Sequence, residues 1–282
     1  MIMNKVKAFL RLTRIEHSIM LIIAITAAEL LAYKFPSLII YIISIISPSI
    51  ISMASFIIND YYDYDIDKIN NKPNPISEGI FSKSFAFNTS IILFIIGSII
   101  SLGINIYAFL IASLFSILAF LYSYKLKLLT LLGNAYIALA MAIPFLYAMA
   151  VDLNYSSLDL IIFFIIFFSG LGREIHGTIR DIKGDSIRGV KSLPMIIGTK
   201  NAAVIASIFY SIAIVLSYTI YLLKPFNNLT YLILISIVNI ILIYVNIIFI
   251  KENNKKYKLA RNLSLSSMAF ALIIFLIFAF QV

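Results

Sequence analysis

The chain has 282 residues, 62% of them hydrophobic and 12% charged, with 22 Lys and Arg against 13 Asp and Glu for a net charge of +9. So little polar surface excludes a water-soluble globular domain, since it cannot cover a core of this size. With no Cys and two His, disulfides, thiolate metal centres and His-rich sites are excluded too.

The first apolar run, Ile19 to Tyr33, follows Lys5, Lys7, Arg11 and Arg14, as a signal peptide would. No clear small-residue cleavage site follows it and many apolar runs do, which favours a first membrane helix. Stretches of about 20 residues, enough to cross roughly 30 Å of hydrocarbon, lie at 18–34, 38–58, 85–105, 107–123, 133–151, 158–176, 202–223, 229–250 and 263–280. An all-α polytopic bundle of nine spans in a single domain over 1–282 is expected. The fourth span abuts the third with only Gly103 and Asn105 to mark a turn. Reading the two as one gives eight spans and moves the C-terminus to the other side.

Sorting the basic residues by alternate loops tests the count. All of the 22 Lys and Arg except Lys34 and Lys224 fall on one side. The positive-inside rule makes that side cytosolic, with the N-terminus inside and the C-terminus outside. The long connections, about 59–84 and 177–201, are on the cytosolic side as well, so chemistry is expected there. The charge thus serves topology; the basic residues lack the aromatic interleaving of a nucleic-acid surface, and membrane lipids are the expected surroundings.

Acidic residues beside apolar spans are costly unless they meet a cation or water. Six of the 13 lie in two clusters: Asp60, Asp63, Asp65 and Asp67, then Asp181 and Asp185. If the second helix continues past Ile58, a step of about 100° per residue puts Asn59, Asp63, Asp67 and Asp60 on one face and Asp65 away from it. Asp181 and Asp185 share a face in the same way if the sixth helix continues. Like charges this close call for a counter-cation. Oxygen ligands without His or Cys point to Mg²⁺, which takes one or two carboxylates and fills its octahedron with waters and phosphate oxygens.

Two other readings stand beside this one. The clusters are ordinary helix-end charges at a membrane surface, or they form the cation site of a cation-coupled transporter. Transporter carboxylates sit near the bilayer midplane on broken helices, whereas these sit at helix ends beside lysines, a mixture suited to a diphosphate held by metal and cations together.

At this point the sequence resembles the UbiA superfamily of membrane prenyltransferases, from Arg14 to about Gly198. Asn59, Asp60, Asp63 and Asp67 match the family's NDxxDxxxD pattern, and the Lys68-Ile69-Asn70-Asn71-Lys72-Pro73-Asn74-Pro75-Ile76 that follows is similar to its Asn-x-x-Pro-x-Pro continuation. Leu121-Tyr122-Ser123-Tyr124-Lys125-Leu126-Lys127 with Gly133-Asn134, then Gly172-Arg173-Glu174, Asp181-Ile182-Lys183-Gly184-Asp185 and Lys191-Ser192-Leu193-Pro194 with Gly198 follow in the family's order. Thr178 and Asn74 depart from it, since many relatives carry an acidic residue and an Arg there.

The resemblance implies nine helices around a central cavity with the active site at its cytosolic side. It implies Mg²⁺ held by Asn59, Asp60, Asp63, Asp67, Asp181 and Asp185, the five aspartates being the catalytic set. Lys68, Lys127, Arg173 and Lys183 are the candidates for binding a polyprenyl diphosphate donor. Arg14 and His17 are the candidates for the acceptor headgroup. Most of the 17 Tyr and 22 Phe are packing or lipid-facing residues, a few being available to stabilise an allylic cation in a water-poor chamber. Glu29 is expected to snorkel to the surface, and Pro144 either kinks the fifth span or is simply tolerated. Among relatives the chain looks most like the archaeal enzymes that join a geranylgeranyl chain, from geranylgeranyl diphosphate, by an ether bond to a lipid-phosphate acceptor, geranylgeranylglyceryl phosphate, with diphosphate released. An aromatic acceptor such as 4-hydroxybenzoate is the alternative.

Overall fold

In a computed structural model, residues 2–31, 35–69, 73–154, 156–187 and 190–281 are described, residues 2–4, 183 and 187 by their backbone alone. Lys34, Lys72 and Arg188 of the charge partition, and Asn70 and Asn71 of the loop motif, lie outside the described residues. Every regular element among the described residues is helical. In chain order they are α1 (Ile2–Thr13), α2 (Ile15–Leu31), α3 (Leu38–Ile69), α4 (Lys83–Leu102), α5 (Ile106–Tyr124), α6 (Thr130–Asp152), α7 (Ser157–Arg180), α8 (Ile182–Ile187), α9 (Leu193–Ile197), α10 (Thr199–Thr219), α11 (Leu229–Ile250) and α12 (Tyr257–Ala279).

Among the described residues, seven helices are long and apolar enough to cross a membrane: α3, α4, α5, α6, and the helices built on α10, α11 and α12. The other two long helices are α2, of 17 residues, and α7, which carries Asp159 near one end and Arg173, Glu174 and Arg180 near the other. Large apolar side chains on these helices face outward, Leu114, Ile117, Ile208 and Ile240 among them. In lipid that exposure is neutral.

The helix ends follow their caps. Asn105 separates α4 from α5: its Oδ1 accepts from Ala108 N–H, and its Nδ2 donates to the carbonyls of Ala150 and Val151 at 2.8 and 3.2 Å. The short break between the third and fourth apolar stretches is therefore real. Ser82, Ser156 and Asn228 cap α4, α7 and α11 in the same manner, each accepting a backbone N–H of the first turn.

The chain divides into two compact units, residues 1–25, 36–126 and 150–153 in the first, and residues 26–35, 127–149 and 154–282 in the second. In the first unit α3 packs on α4 through small residues. Ser47 donates to Gly97 O at 2.7 Å and pairs with Ser101, and an added Cβ on Gly97 would lie 2.7 Å from the Ile51 side chain. Small polar residues bring helices together where no hydrophobic force acts between them. In the second unit α7 packs on α10 around Leu171, Ile175, Ala203 and Ala206. Glu29, expected to snorkel, is fully buried, so that expectation is corrected.

Candidate active site

The first acidic cluster lies on the last turns of α3, which runs unbroken through Pro48 to Ile69. The face predicted by helical periodicity is the one that forms. Asp60 and Asp67 are 2% and 1% exposed, whereas the Asp65 side chain is 78% exposed and, among the described residues, pairs with Lys83 at 3.4 Å.

Each carboxylate of that face has a partner in the protein. Arg14 Nη2 donates to Asp60 Oδ1 at 2.9 Å, Asn59 Nδ2 to Asp63 Oδ2 at 3.0 Å, and Asn74 Nδ2 to Asp67 Oδ2 at 2.7 Å. Asn74 also organises its own loop. Its Oδ1 accepts from the N–H groups of Ile76 and Ser77 at 2.9 and 2.8 Å, an Asx turn that Gly79 closes in the left-handed region at φ 73°. Ile76 on this turn is buried with Leu12 of α1, Ile57 of α3 and Ala86 of α4, and Glu78 pairs with Arg11 of α1. Asn74-Pro-Ile-Ser is a turn signature, and that was the signal available for a residue otherwise noted only as a departure from the family.

Arg14 and His17 both lie against Phe56, one turn before Asp60. The Arg14 guanidinium carbon is 4.8 Å from the ring centre, and the His17 ring centre is at 4.8 Å. Tyr62 of the acidic motif packs on Tyr124, at 5.6 Å between ring centres, and on Phe120 at 6.0 Å, which ties the Leu121–Lys127 signature to α3. The Lys68 ammonium lies 5.8 Å from the Tyr64 ring centre and is exposed.

The second unit carries the other cluster. Here the expectation of a continuing helix is corrected: α7 stops at Arg180, Asp181 caps it with φ −100° and ψ 13°, and α8 restarts at Ile182. Asp185 N–H still donates to Asp181 O at 3.0 Å, so the two remain one helical turn apart. The connection read as 177–201 also shrinks, because α8, α9 and the start of α10 occupy much of it.

Arg180 grips its neighbour Asp181 with both Nε, at 2.7 Å, and Nη2. Arg173 pairs with Glu174, Lys127 is half-buried on the turn after α5, and the Lys183 side chain lies outside the described residues. The Thr178 hydroxyl donates to Ile175 O at 2.8 Å, turned back on its own helix. Gly172 has a packing reason: a Cβ there would meet the Tyr210 ring at 2.7 Å and Ala206 O at 2.9 Å. Gly198, at φ 84°, turns α9 into α10, where a side chain would be strained.

The donor set suits a hard cation. Among the described residues no three His, Asp or Glu converge on one point, which argues against an all-protein cage. Mg²⁺ does not need one, since one or two carboxylates with waters and phosphate oxygens suffice.

The model of the UbiA prenyltransferase family matches residues 20–280. The chain belongs to the UbiA prenyltransferase family. It is 33% identical over 283 residues to digeranylgeranylglyceryl phosphate synthase of Archaeoglobus fulgidus, covering 97% of this chain and 96% of that one. It is 39% identical to the synthase of the same name from Pyrococcus furiosus over 160 residues, a stretch that spans 57% of each chain. The fold is similar to a solved structure described as giving insights into digeranylgeranylglyceryl phosphate synthase in membranes, with a TM-score of 0.85, 29% identity, and 99% and 100% of the two chains covered. It is also similar to a UbiA homolog from Archaeoglobus fulgidus bound to DMAPP and Mg²⁺, with a TM-score of 0.68, 19% identity, and 95% and 99% covered. That last likeness concerns the fold alone. With its long apolar helices, this member of the UbiA family is an integral membrane protein.

Proposed function

We propose that this UbiA-family prenyltransferase transfers a geranylgeranyl group from geranylgeranyl diphosphate to geranylgeranylglyceryl phosphate, giving digeranylgeranylglyceryl phosphate and diphosphate. The observation that carries this reading is the end-to-end likeness to synthases of that product, 33% identity over 97% of the chain in one and a TM-score of 0.85 in another. In the reaction the allylic C–O bond to diphosphate breaks, an ether bond forms to the acceptor hydroxyl oxygen, and the hydroxyl proton is released.

Asn59, Asp60, Asp63 and Asp67 in the first motif, and Asp181 and Asp185 in the second, are the proposed Mg²⁺ ligands, the aspartates being the catalytic set. Bound Mg²⁺ would neutralise the charge that builds on the departing diphosphate. Lys68, Lys127, Arg173 and Lys183 are the proposed diphosphate donors of positive charge, and they bind and orient it. Arg14 and His17 are the proposed contacts for the acceptor headgroup. The apolar interior then keeps water from the allylic centre, so that the acceptor and not water captures it. The fold reading that goes with this is a single domain of nine spans, with the N-terminus and both motifs on the cytosolic side and the C-terminus outside. It is supported by the one-sided partition of Lys and Arg.

The test is mass-spectrometric product analysis of the purified protein with Mg²⁺, geranylgeranyl diphosphate, and geranylgeranylglyceryl phosphate and 4-hydroxybenzoate as competing acceptors. The ether-linked lipid is the expected product. A prenylated aromatic ring would move the protein to the other acceptor class, and vectorial cation transport without any prenyl product would overturn the reading.

A further inference from the structure

One carboxylate of the acidic face of α3, that of Asp60, has a cationic partner from within the protein, and the residue that supplies it is placed there at a backbone cost. Arg14 sits in the single-residue break between α1 and α2 with φ 47°. The left-handed region is disfavoured for a residue with a side chain and persists where the surroundings over-determine it. Here they do: Leu12 is buried in the cluster with Ile57 and Ile76, and Arg11 is paired with Glu78 on the Asn74 turn. The result is a guanidinium aimed at a carboxylate that is 4% exposed, at 2.9 Å.

We propose that Arg14 is a resident counter-cation for Asp60, which a divalent ion displaces when it binds the first motif. The inference rests on reading that motif as a divalent-metal site. The chemistry is competition: a guanidinium and a dication cannot share one carboxylate oxygen without strong repulsion in a setting this poor in water. The three carboxylates of the face are held by three different side chains, Arg14, Asn59 and Asn74, and among the described residues no three acidic groups converge. A dication that reaches Asp60 therefore meets the Arg14 guanidinium already on Oδ1 of a buried carboxylate.

The structure also supplies a place for the displaced group. The Arg14 guanidinium lies 4.8 Å from the centre of the Phe56 ring, an attraction that does not involve Asp60. Arg14 is 31% exposed along its side chain, so on leaving the carboxylate it keeps a seat on Phe56 with its donors available to an arriving anion. Asn74 serves a different end: being neutral, it positions Asp67 without competing with a cation for charge.

The test is Mn²⁺ binding, used in place of Mg²⁺ and followed by electron paramagnetic resonance on the full-length protein in lipid nanodiscs without substrate. Arg14→Gln is expected to bind Mn²⁺ about tenfold more tightly than the wild type, the order of one charged contact removed from competition. Arg14→Lys, which keeps the charge and loses the fork, is expected to fall between them. Unchanged or weaker binding by Arg14→Gln would overturn the exchange. On the wild type itself, saturating Mn²⁺ is expected to raise amide hydrogen exchange across residues 13–17 as the contact with Asp60 is released, and no rise would overturn it without any variant. If the wild type binds no Mn²⁺, or Asp63→Ala binds it as the wild type does, the metal reading of the motif fails and the exchange falls with it. An intact wild-type site with an unmoved Arg14→Gln affinity, by contrast, sinks the exchange alone.

Discussion

Asn74 Nδ2 donates to Asp67 Oδ2 at 2.7 Å, and both side chains are buried, at 5% and 1% exposure. The pair joins the turn after α3 to the last carboxylate of the acidic face. Asn74→Ala removes this donor and both Asx-turn acceptor contacts. The expected cost is about 1–3 kcal/mol of stability, the penalty for losing a buried hydrogen-bond partner, read as a lower Tm in detergent. Asn74→Asp is expected to lose more, because it sets a second carboxylate against Asp67.

Position along one helix turn separates the acidic residues by role. Asp63→Ala and Asp181→Ala are expected to lower kcat by about 10²–10³-fold, the usual cost of removing one group that stabilises a departing charge. Their stability is expected to stay within about 1 kcal/mol of wild type, since neither side chain packs in a core. Asp65→Ala is the control. Its side chain is exposed and its contact with Lys83 is long at 3.4 Å, so turnover is expected to remain at the wild-type level. Steady-state assays on the three variants with circular dichroism melts decide the matter.

Gly172 is expected to tolerate no side chain. In Gly172→Ala the new methyl would lie 2.7 Å from the Tyr210 ring and 2.9 Å from a backbone carbonyl of α10. Overpacking of this kind costs about 1–3 kcal/mol. The variant is expected to melt at a correspondingly lower temperature, and Gly177→Ala, where a Cβ meets nothing within 4 Å, is expected to shift far less.

Asn105 closes two helix ends at once, accepting from Ala108 N–H at the start of α5 and donating to Ala150 and Val151 carbonyls at the end of α6. Asn105→Ala is expected to cost about 1–2 kcal/mol, the range for loss of an N-cap. Asn105→Asp keeps the acceptor and loses the two donations, so its melt is expected to lie between those of the wild type and Asn105→Ala.

Chelation gives the last expectation. EDTA treatment is expected to abolish prenyl transfer and Mg²⁺ to restore it, while the helical circular dichroism signal stays constant. A melted spectrum after EDTA would give the metal a structural role instead.

Much of this molecule was legible in its residues alone. Hydropathy located the long helices, because a segment that must satisfy its own backbone in lipid has few conformations open to it. The period of the helix put Asp60, Asp63 and Asp67 on one face and Asp65 on another, since that relation is local and needs no partner. The ordered motifs from Asn59 to Gly198 pointed to the family for the same reason: they are strings of neighbours.

What stayed hidden depends on contacts distant in sequence. No local pattern says that Arg14, 46 residues from Asp60, would reach it from a left-handed break, or that Glu29 would be buried. The stop at Asp181 was hidden too: Asp181 and Asp185 stand at helical spacing, and nothing local in the sequence marks that α7 ends at Arg180. Apolarity and periodicity, being properties of neighbours, decided which helices form and which faces carry charge. Which cation or amide each carboxylate meets was decided by the tertiary structure, because a buried charge takes whatever partner packing brings within about 3 Å.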